Sequence, residues 1–223
     1  MQHLVKVKSI KLINKNVLHI FTKKPLNYNF IPGQSTYIAI NKDGWQKEIG
    51  AFSFINLPSN NYLEFVIKIY PKHKGVTKEL LNLKINDELI LHDVFGSISY
   101  RSEGVFIAGG AGITPFISIF SNLNSKNLIG NNKMIFANKT SDDIIFEKEF
   151  KNILGENFIN ILSDEKTDQY KYGLITEKFL KRYITEFVKN IYLCGPPLMM
   201  DSIEKQLANL NIDKKLIIKE TFK

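Results

Sequence analysis

The chain has 223 residues, 44% of them hydrophobic, enough for one large domain or two of roughly 100 residues with real cores. Its single cysteine, Cys194, excludes an internal disulfide and a four-cysteine iron–sulfur site, and its 4 histidines (His3, His19, His73, His92) show no ligand spacing, so no metal site is expected. No apolar run is long enough to span a bilayer, and the opening MQHLVKVKSIKL alternates like a strand rather than a secretory signal, so a cytoplasmic protein is expected. The net charge of +8 comes from 30 basic against 22 acidic residues. It reads as a lysine-rich surface from a composition heavy in Lys, Asn and Ile, or as steering toward an acidic partner, and since no Arg/Lys cluster interleaves with aromatics on one element, nucleic acid is not the expected partner.

From Leu4 to Tyr100 the texture is β. The runs His3–Ile13, Val17–Thr22, Thr36–Asn41, Phe52–Leu57, Tyr62–Tyr70 and Asp87–His92 are rich in Val, Ile, Phe and Tyr and are separated by Asn, Gly, Pro and Lys. Leu63, Phe65, Ile67 and Ile69 alternate with Glu64, Val66, Lys68 and Tyr70, as a strand with one core face does. Six such runs in a hundred residues predict a small antiparallel six-stranded barrel. Three pieces stand out: the turn Phe30-x-Pro32-Gly33-Gln34, the strand head Gly50-Ala51-Phe52-Ser53, and Lys74-Gly75-Val76-Thr77-Lys78. In the last, Thr77 is expected to cap a short amphipathic helix whose free N–H groups suit a phosphate, with Lys74 and Lys78 nearby.

The composition changes near Tyr100–Gly104, which sets the expected domains at 1–100 and 101–223. Strands at Val105–Ala108, Met134–Ala137, Phe158–Leu162 and Ile191–Leu193 alternate with helical stretches at Thr114–Leu123, Asp143–Leu154, Thr176–Tyr183 and Leu198–Leu210. This βαβα order predicts a parallel sheet, which binds ligands beyond the carboxyl ends of its strands. The stretch GVFIAGGAGITPFISIF (104–120) runs from a buried strand through Gly109, Gly110 and Gly112 into a helix expected to be capped by Thr114 with Pro115 at its first position. Asp142 or Asp143 is expected to cap the second helix and Thr176 the third. Pro115 takes the place of the third glycine of a dinucleotide fingerprint, so the spacing alone supports an anion site and no more.

Taken in order, these pieces resemble the ferredoxin–NADP⁺ reductase family of flavoproteins. The set is the Phe30–Gln34 turn, Ala51-Phe52-Ser53, Gly75-Val76-Thr77, Phe95-Gly96, Gly109–Pro115, Asn138-Lys139-Thr140 with Asp143 and Phe146, and Cys194-Gly195-Pro196-Pro197 with Met199 and Met200. The resemblance implies a flavin-binding barrel followed by an α/β domain for a nicotinamide nucleotide. It assigns Phe52, Ser53, Ile67, Lys68, Tyr70, Gly75, Val76 and Thr77 to FAD, with FMN the lesser choice. It assigns Gly110, Gly112, Thr114, Asn138, Lys139, Ser163, Asp164, Cys194, Gly195 and Pro196 to NAD(P)H. The family's flavin signature is Arg-x-Tyr-Ser. Here Phe52 keeps the ring and Ser53 matches, but Gly50 stands where the arginine is expected, leaving Lys47, Lys68 or Lys74 to meet the flavin phosphate.

The implied reaction is hydride transfer from nicotinamide C4 to flavin N5, followed by single-electron transfer to a separate acceptor. Ser53, Thr114 and Cys194 would bracket N5, Glu220 would approach the same face, and Phe222 would cover the flavin or its adenine. Lys139 and Lys166 could meet a 2′-phosphate, but Asp164 and Glu165 would repel it and accept from a ribose 2′-hydroxyl, which leans the reading to NADH. With no cysteines for a cluster, the expected acceptor is an acidic carrier protein such as flavodoxin or ferredoxin. A reductase of free flavin, and a non-catalytic flavin-binding electron-transfer or regulatory subunit, stand as alternatives.

Overall fold

A computed structural model of the chain describes residues 1–69, 75–185 and 188–220. They form two compact units, Met1–Ser99 with Thr114–Asn122, and Tyr100–Ile113 with Leu123–Lys223.

The first unit is an antiparallel sheet of β1 (His3–Asn14), β2 (Val17–Lys23), β3 (Ser35–Ile40), β4 (Gly50–Ser53), β5 (Tyr62–Lys68) and β6 (Glu88–Phe95), with the short helix α1 (Val76–Glu79) between the last two. The strand order is β4-β3-β6-β1-β2-β5, and the end strands β4 and β5 lie against each other, which curls the sheet toward a barrel. β1 makes this possible by changing partners. Its first residues, His3–Lys6, pair with β6, whereas from Val7 onward it pairs with β2 across a register shift between Val7 and Ser9. Val5, Val7, Leu18, Ile20, Ile38, Leu63, Phe65, Ile67 and Leu89 project inward from alternate positions and are all at most 5% exposed.

The expected strand Phe52–Leu57 starts earlier and ends at Ser53. The chain crosses there from β3 to β5: the Phe54 amide donates to the Gln34 carbonyl and the next one, Ile55, to Glu64. Asn56 holds the crossing, donating to the Leu57 and Tyr62 carbonyls and accepting from the Glu64 amide. Phe54 then fills the barrel, fully buried and stacked on Phe30 with centroids 4.2 Å apart. Tyr28 closes one end by donating from its hydroxyl to the His92 carbonyl and the Thr36 hydroxyl.

The second unit continues with β7 (Gly104–Gly109), helix α2 (Thr114–Ser125), β8 (Lys133–Asn138), α3 (Glu147–Leu154), β9 (Phe158–Leu162), β10 (Lys171–Tyr172), α4 (Glu177–Leu180), β11 (Asn190–Cys194), α5 (Pro197–Asn209) and β12 (Ile217–Lys219). Residues Thr114–Asn122 of α2 group with the first unit. All strands are parallel, in the order β10-β9-β8-β7-β11-β12, so the order reverses beside β7, where β7 and β11 are neighbours. Their interiors are nearly continuous Val, Ile, Leu and Phe, as a sheet covered on both faces requires.

Two edge strands were not expected. β10 has two residues, and β12 is a three-residue stretch in KLIIKE, and neither length gives a period to read. The expected helix Asp143–Leu154 is two elements. A 3₁₀ turn covers Ser141–Asp143, capped by Thr140 in a reciprocal box with Asp143, and Phe146, in the left-handed region with φ 55°, starts α3. Asp142 and Asp143 therefore do not cap α3. Thr176 does cap α4, its hydroxyl accepting from the Phe179 amide.

Candidate functional site

In the second unit the carboxyl ends of β7, β8 and β11 supply the candidate groups, as the strand order predicts for a sheet of this kind. β7 ends at Gly109, a 3₁₀ turn of Gly110–Ile113 follows, and α2 begins directly after it. Thr114 is thus the first helical residue, not the cap, because the preceding turn is already helical: Ile113, with φ −71° and ψ −24°, takes the cap position and no side chain caps it. Pro115 occupies the second position, where a missing N–H still costs nothing. Thr114 is 8% exposed.

The glycines of this turn have a packing duty that the sequence does not separate from a ligand-binding one. A Cβ on Gly112 would stand 2.2 Å from the Cys194 carbonyl oxygen, and one on Gly109 would stand 2.3 Å from Met199 Sδ and 2.9 Å from Pro196 Cδ. Gly195 approaches Gly109 in the same way. The Gly109–Gly112 turn and the Cys194–Pro196 turn are therefore seated backbone on backbone. That explains Gly109, Gly112 and Gly195 without a ligand and leaves Gly110, which is half-buried with φ 51°, as the turn's open glycine.

Cys194 is 1% exposed, and burial, reinforced by Glu220, pushes its thiol up to about 12. It stays protonated at any physiological pH, so it cannot serve as a thiolate nucleophile; what it offers is a small, neutral, polarisable side chain at a strand end. Glu220 follows β12 and acts on Cys194 through its charge.

Asn138, the last residue of β8, carries the clearest sign of an unmet partner. It is 8% exposed, and neither its Nδ2 nor its Oδ1 has a hydrogen-bond partner among the described residues. A buried amide with both ends open costs free energy unless a ligand or water completes it. Beyond it the strand ends are zipped together, Ser163 donating to the Asn138 carbonyl and Asp164 to that of Lys139. Asp164 is exposed and accepts from the Ser163 hydroxyl, and Lys139 is exposed. Glu165 is occupied elsewhere, accepting from the amide and hydroxyl of Ser141.

In the first unit, Ser53 is 3% exposed and shares a hydrogen bond with Ser35, 3.1 Å away. Phe52 lies over its neighbour: a Cβ on Gly50 would come within 2.6 Å of Phe52 Cζ and 2.8 Å of Val76 Cγ1. The Phe52 ring thus occupies the space that a side chain at 50 would enter. Gly75, not Thr77, is the cap residue of α1, with φ 142° and open space where a Cβ would be. Thr77 lies one residue inside the helix, Val76 is buried, and Lys68 is half-buried at the end of β5. Ile67 is 3% exposed within the barrel core, so only its main chain is available to a ligand. Tyr70, Lys74 and Phe222, named as candidates from the sequence, lie outside the described residues. Among the described residues no cluster of His, Cys, Asp and Glu could hold a metal, and no helix is long and apolar enough to cross a membrane.

The first part of the chain, residues 2–127, matches the model of an FAD-binding domain, and residues 106–205 match that of an oxidoreductase NAD-binding domain. Among curated proteins the chain is similar to NADH-cytochrome b5 reductase 1 of Aspergillus terreus (29% identical over 203 residues, 82% of this chain and 68% of that one). It is also similar to the anthranilate 1,2-dioxygenase electron transfer component of Acinetobacter baylyi (27% over 233 residues, 97% and 66%). The chain therefore spans about two thirds of the length of these relatives. Among solved structures the fold matches a ferredoxin NADP⁺ reductase of Neisseria gonorrhoeae with a TM-score of 0.84 at 16% identity, covering 98% of both chains. It matches the flavohem-like FAD/NAD-binding domain of the Vibrio cholerae nitric oxide dioxygenase with the same score at 22% identity, covering 97% of each. The chain belongs to the family of FAD-binding domains joined to oxidoreductase NAD-binding domains, the ferredoxin–NADP⁺ reductase-like flavoproteins. By class it is an NAD(P)H-dependent flavoprotein reductase.

Proposed function

We propose that the chain takes reducing equivalents from a nicotinamide nucleotide held at the carboxyl ends of β7, β8 and β11, passes them to FAD on the barrel unit, and delivers electrons singly to a separate acceptor protein. When bound, the two cofactors supply the hydride and one-electron chemistry. The chain's own residues bind, orient and exclude water. The observation that carries the nucleotide half is the buried, open amide of Asn138 beside the Gly109–Ile113 turn. On this reading Asn138 and the amides of Gly110 and Ala111 bind the nucleotide, Asp164 accepts from its adenosine ribose, and the buried, uncharged thiol of Cys194 faces the nicotinamide end. The FAD half rests on Gly75, whose open side presents the first amides of α1, and on Phe52, Ser53 and Lys68.

A single buried cysteine cannot bind an iron–sulfur cluster, so electrons leave this sequence for a group outside it. The excess of positive charge suits an acidic carrier such as flavodoxin or ferredoxin. The decisive experiment is anaerobic titration with NADH and, in parallel, NADPH, followed by flavin absorbance. Bleaching of a bound flavin supports the reading; protein that binds no flavin after reconstitution with FAD overturns it. Gly50 in the arginine position favours one second reading, a reductase of free flavin. Flavin that exchanges freely during turnover would select that version over a tightly held FAD.

A further inference from the structure

The partner switch in β1 leaves a groove in the first unit. Among the described residues, β1 ahead of Val7 pairs with β6 and not with β2, which ends at Lys23, so the β2-facing side of β1 has no described strand against it at Leu4 and Val5. The segment Lys24–Asn29 forms the opposite wall, tied back where Lys24 donates to the Pro58 carbonyl and Tyr28 to that of His92. The groove has a volume of about 1230 Å³, and lysines 6, 8, 23 and 24 line it with no acidic residue among the described residues of its lining. Lys6, Lys8 and Lys23 are exposed and have no ion pair or side-chain hydrogen bond among the described residues. Two large apolar side chains flank them in the open, Leu4 at 63% and Leu26 at 88% exposure, and the half-buried rings of Phe21 and Tyr62 meet on the wall with centroids 5.7 Å apart.

Leu4 and Leu26 line one groove with four lysines, so apolar surface and positive charge converge on the same depression. Lysine-lined and apolar together, the groove selects a ligand that is both acidic and greasy, and its open strand side suits an extended backbone. We propose that this groove docks an acidic segment of a partner protein, extended, with apolar side chains alternating with carboxylates. The proposal stands on the barrel alone and does not rest on the cofactor reading above.

The test uses the full chain and a fluorescent, blocked heptapeptide of alternating glutamate and valine, with binding followed by anisotropy. The expected result is saturable binding that weakens at least tenfold in the K6E/K8E/K23E variant, whose substituted residues are all exposed. Two further peptides probe the unaltered protein, so that no outcome depends on how the variant folds. Replacing valine by glycine, or glutamate by lysine, is expected to weaken binding at least tenfold as well. Equal binding of the lysine or glycine peptide, or of the variant, overturns the proposal. So does an absence of saturable binding, or capture of phosphatidylglycerol vesicles by the groove lysines in its place.

Discussion

Gly112 and Cys194 meet main chain to main chain: the space a Cβ on Gly112 would need begins 2.2 Å from the Cys194 carbonyl oxygen. The obstacle is backbone, which cannot swing aside as a side-chain end can. Gly112→Ala must therefore push the 3₁₀ turn off the end of β11. A misfit of this kind costs about 1–3 kcal/mol, and more where the backbone cannot relax. The expected outcome is a fall in melting temperature together with a rise in the KM for the nicotinamide nucleotide, since the turn that moves carries Gly110. Thermal unfolding and steady-state kinetics of the same preparation check both. A variant with unchanged melting temperature would show that the two turns are not seated as described.

Asn138 calls for the opposite pattern. Its amide is buried with neither end paired among the described residues, so Asn138→Ala removes an unsatisfied group and leaves stability unchanged or slightly higher. If the nucleotide completes the amide, the lost hydrogen bond, about 1 kcal/mol net, raises KM about fivefold with little effect on kcat. Equal KM values for the two proteins would remove Asn138 from the nucleotide site.

These two residues mark where the sequence was readable and where it was not. The barrel strands and the parallel strands were legible because alternation and continuous apolar runs are direct imprints of half-buried and fully buried sheet. The β-to-α change near Gly104 was legible for the same reason. The crossing at Phe54–Leu57 was not, because a change of pairing partner leaves no periodicity. Nor was the Phe146 break before α3, because φ 55° at a phenylalanine has no compositional signal. At the site, a glycine that binds phosphate and one that lets two turns touch read identically. Only the positions of Cys194 and Met199 separate Gly112 and Gly109 from Gly110.

Tyr28 sets an alkaline limit on the barrel. Burial raises its hydroxyl to about 12, against an ordinary value of 10.0, while it donates to the His92 carbonyl and to Thr36. The sign follows from linkage: the folded state resists losing the proton, so the contribution is whole below pH 10 and disappears as pH rises from 10 toward 12. Cys194, also held near 12 by burial, adds a loss that begins near its usual 9.0. Tyr28→Phe is expected to cost about 1 kcal/mol at neutral pH, because a buried hydrogen bond is lost while the His92 carbonyl still accepts from the Thr36 hydroxyl. It should also flatten the decline in stability between pH 10 and 12. Denaturant melts at pH 7, 9, 10 and 11 measure both effects, and a variant with the wild-type slope above pH 10 would place the titrating group elsewhere.

Asp164 is exposed at the end of β9 with its amide bound to the Lys139 carbonyl, so its side chain can change without disturbing the strand ends. On the reading given above, its carboxylate accepts from a ribose hydroxyl and repels a 2′-phosphate. Asp164→Ser is therefore expected to raise kcat/KM for NADPH about tenfold and to lower it for NADH severalfold, a swing of about 2 kcal/mol in preference. An unchanged NADH/NADPH ratio would mean that Asp164 does not face the adenosine ribose.

Gly50 stands in a confined space on the barrel. The Phe52 ring lies where a side chain at 50 would begin, with Cζ 2.6 Å and Cε2 2.8 Å from the ideal Cβ position, and Val76 Cγ1 closes the third side at 2.8 Å. The ring and the methyl are flexible side-chain ends, so Gly50→Ala is expected to cost stability only modestly, about 1 kcal/mol or less. What it must do is turn the ring of Phe52. If that ring contacts the isoalloxazine, displacing it forfeits an aromatic contact of about 0.5–1.5 kcal/mol, which weakens flavin binding by about two- to tenfold and shifts the flavin fluorescence. Titrating the apoprotein with FAD reads the affinity, and Phe52→Ala should reproduce the loss without the crowding. Flavin bound with wild-type affinity and spectrum by both variants would separate Phe52 from the flavin, leaving Gly50 as a packing glycine of the β4 strand.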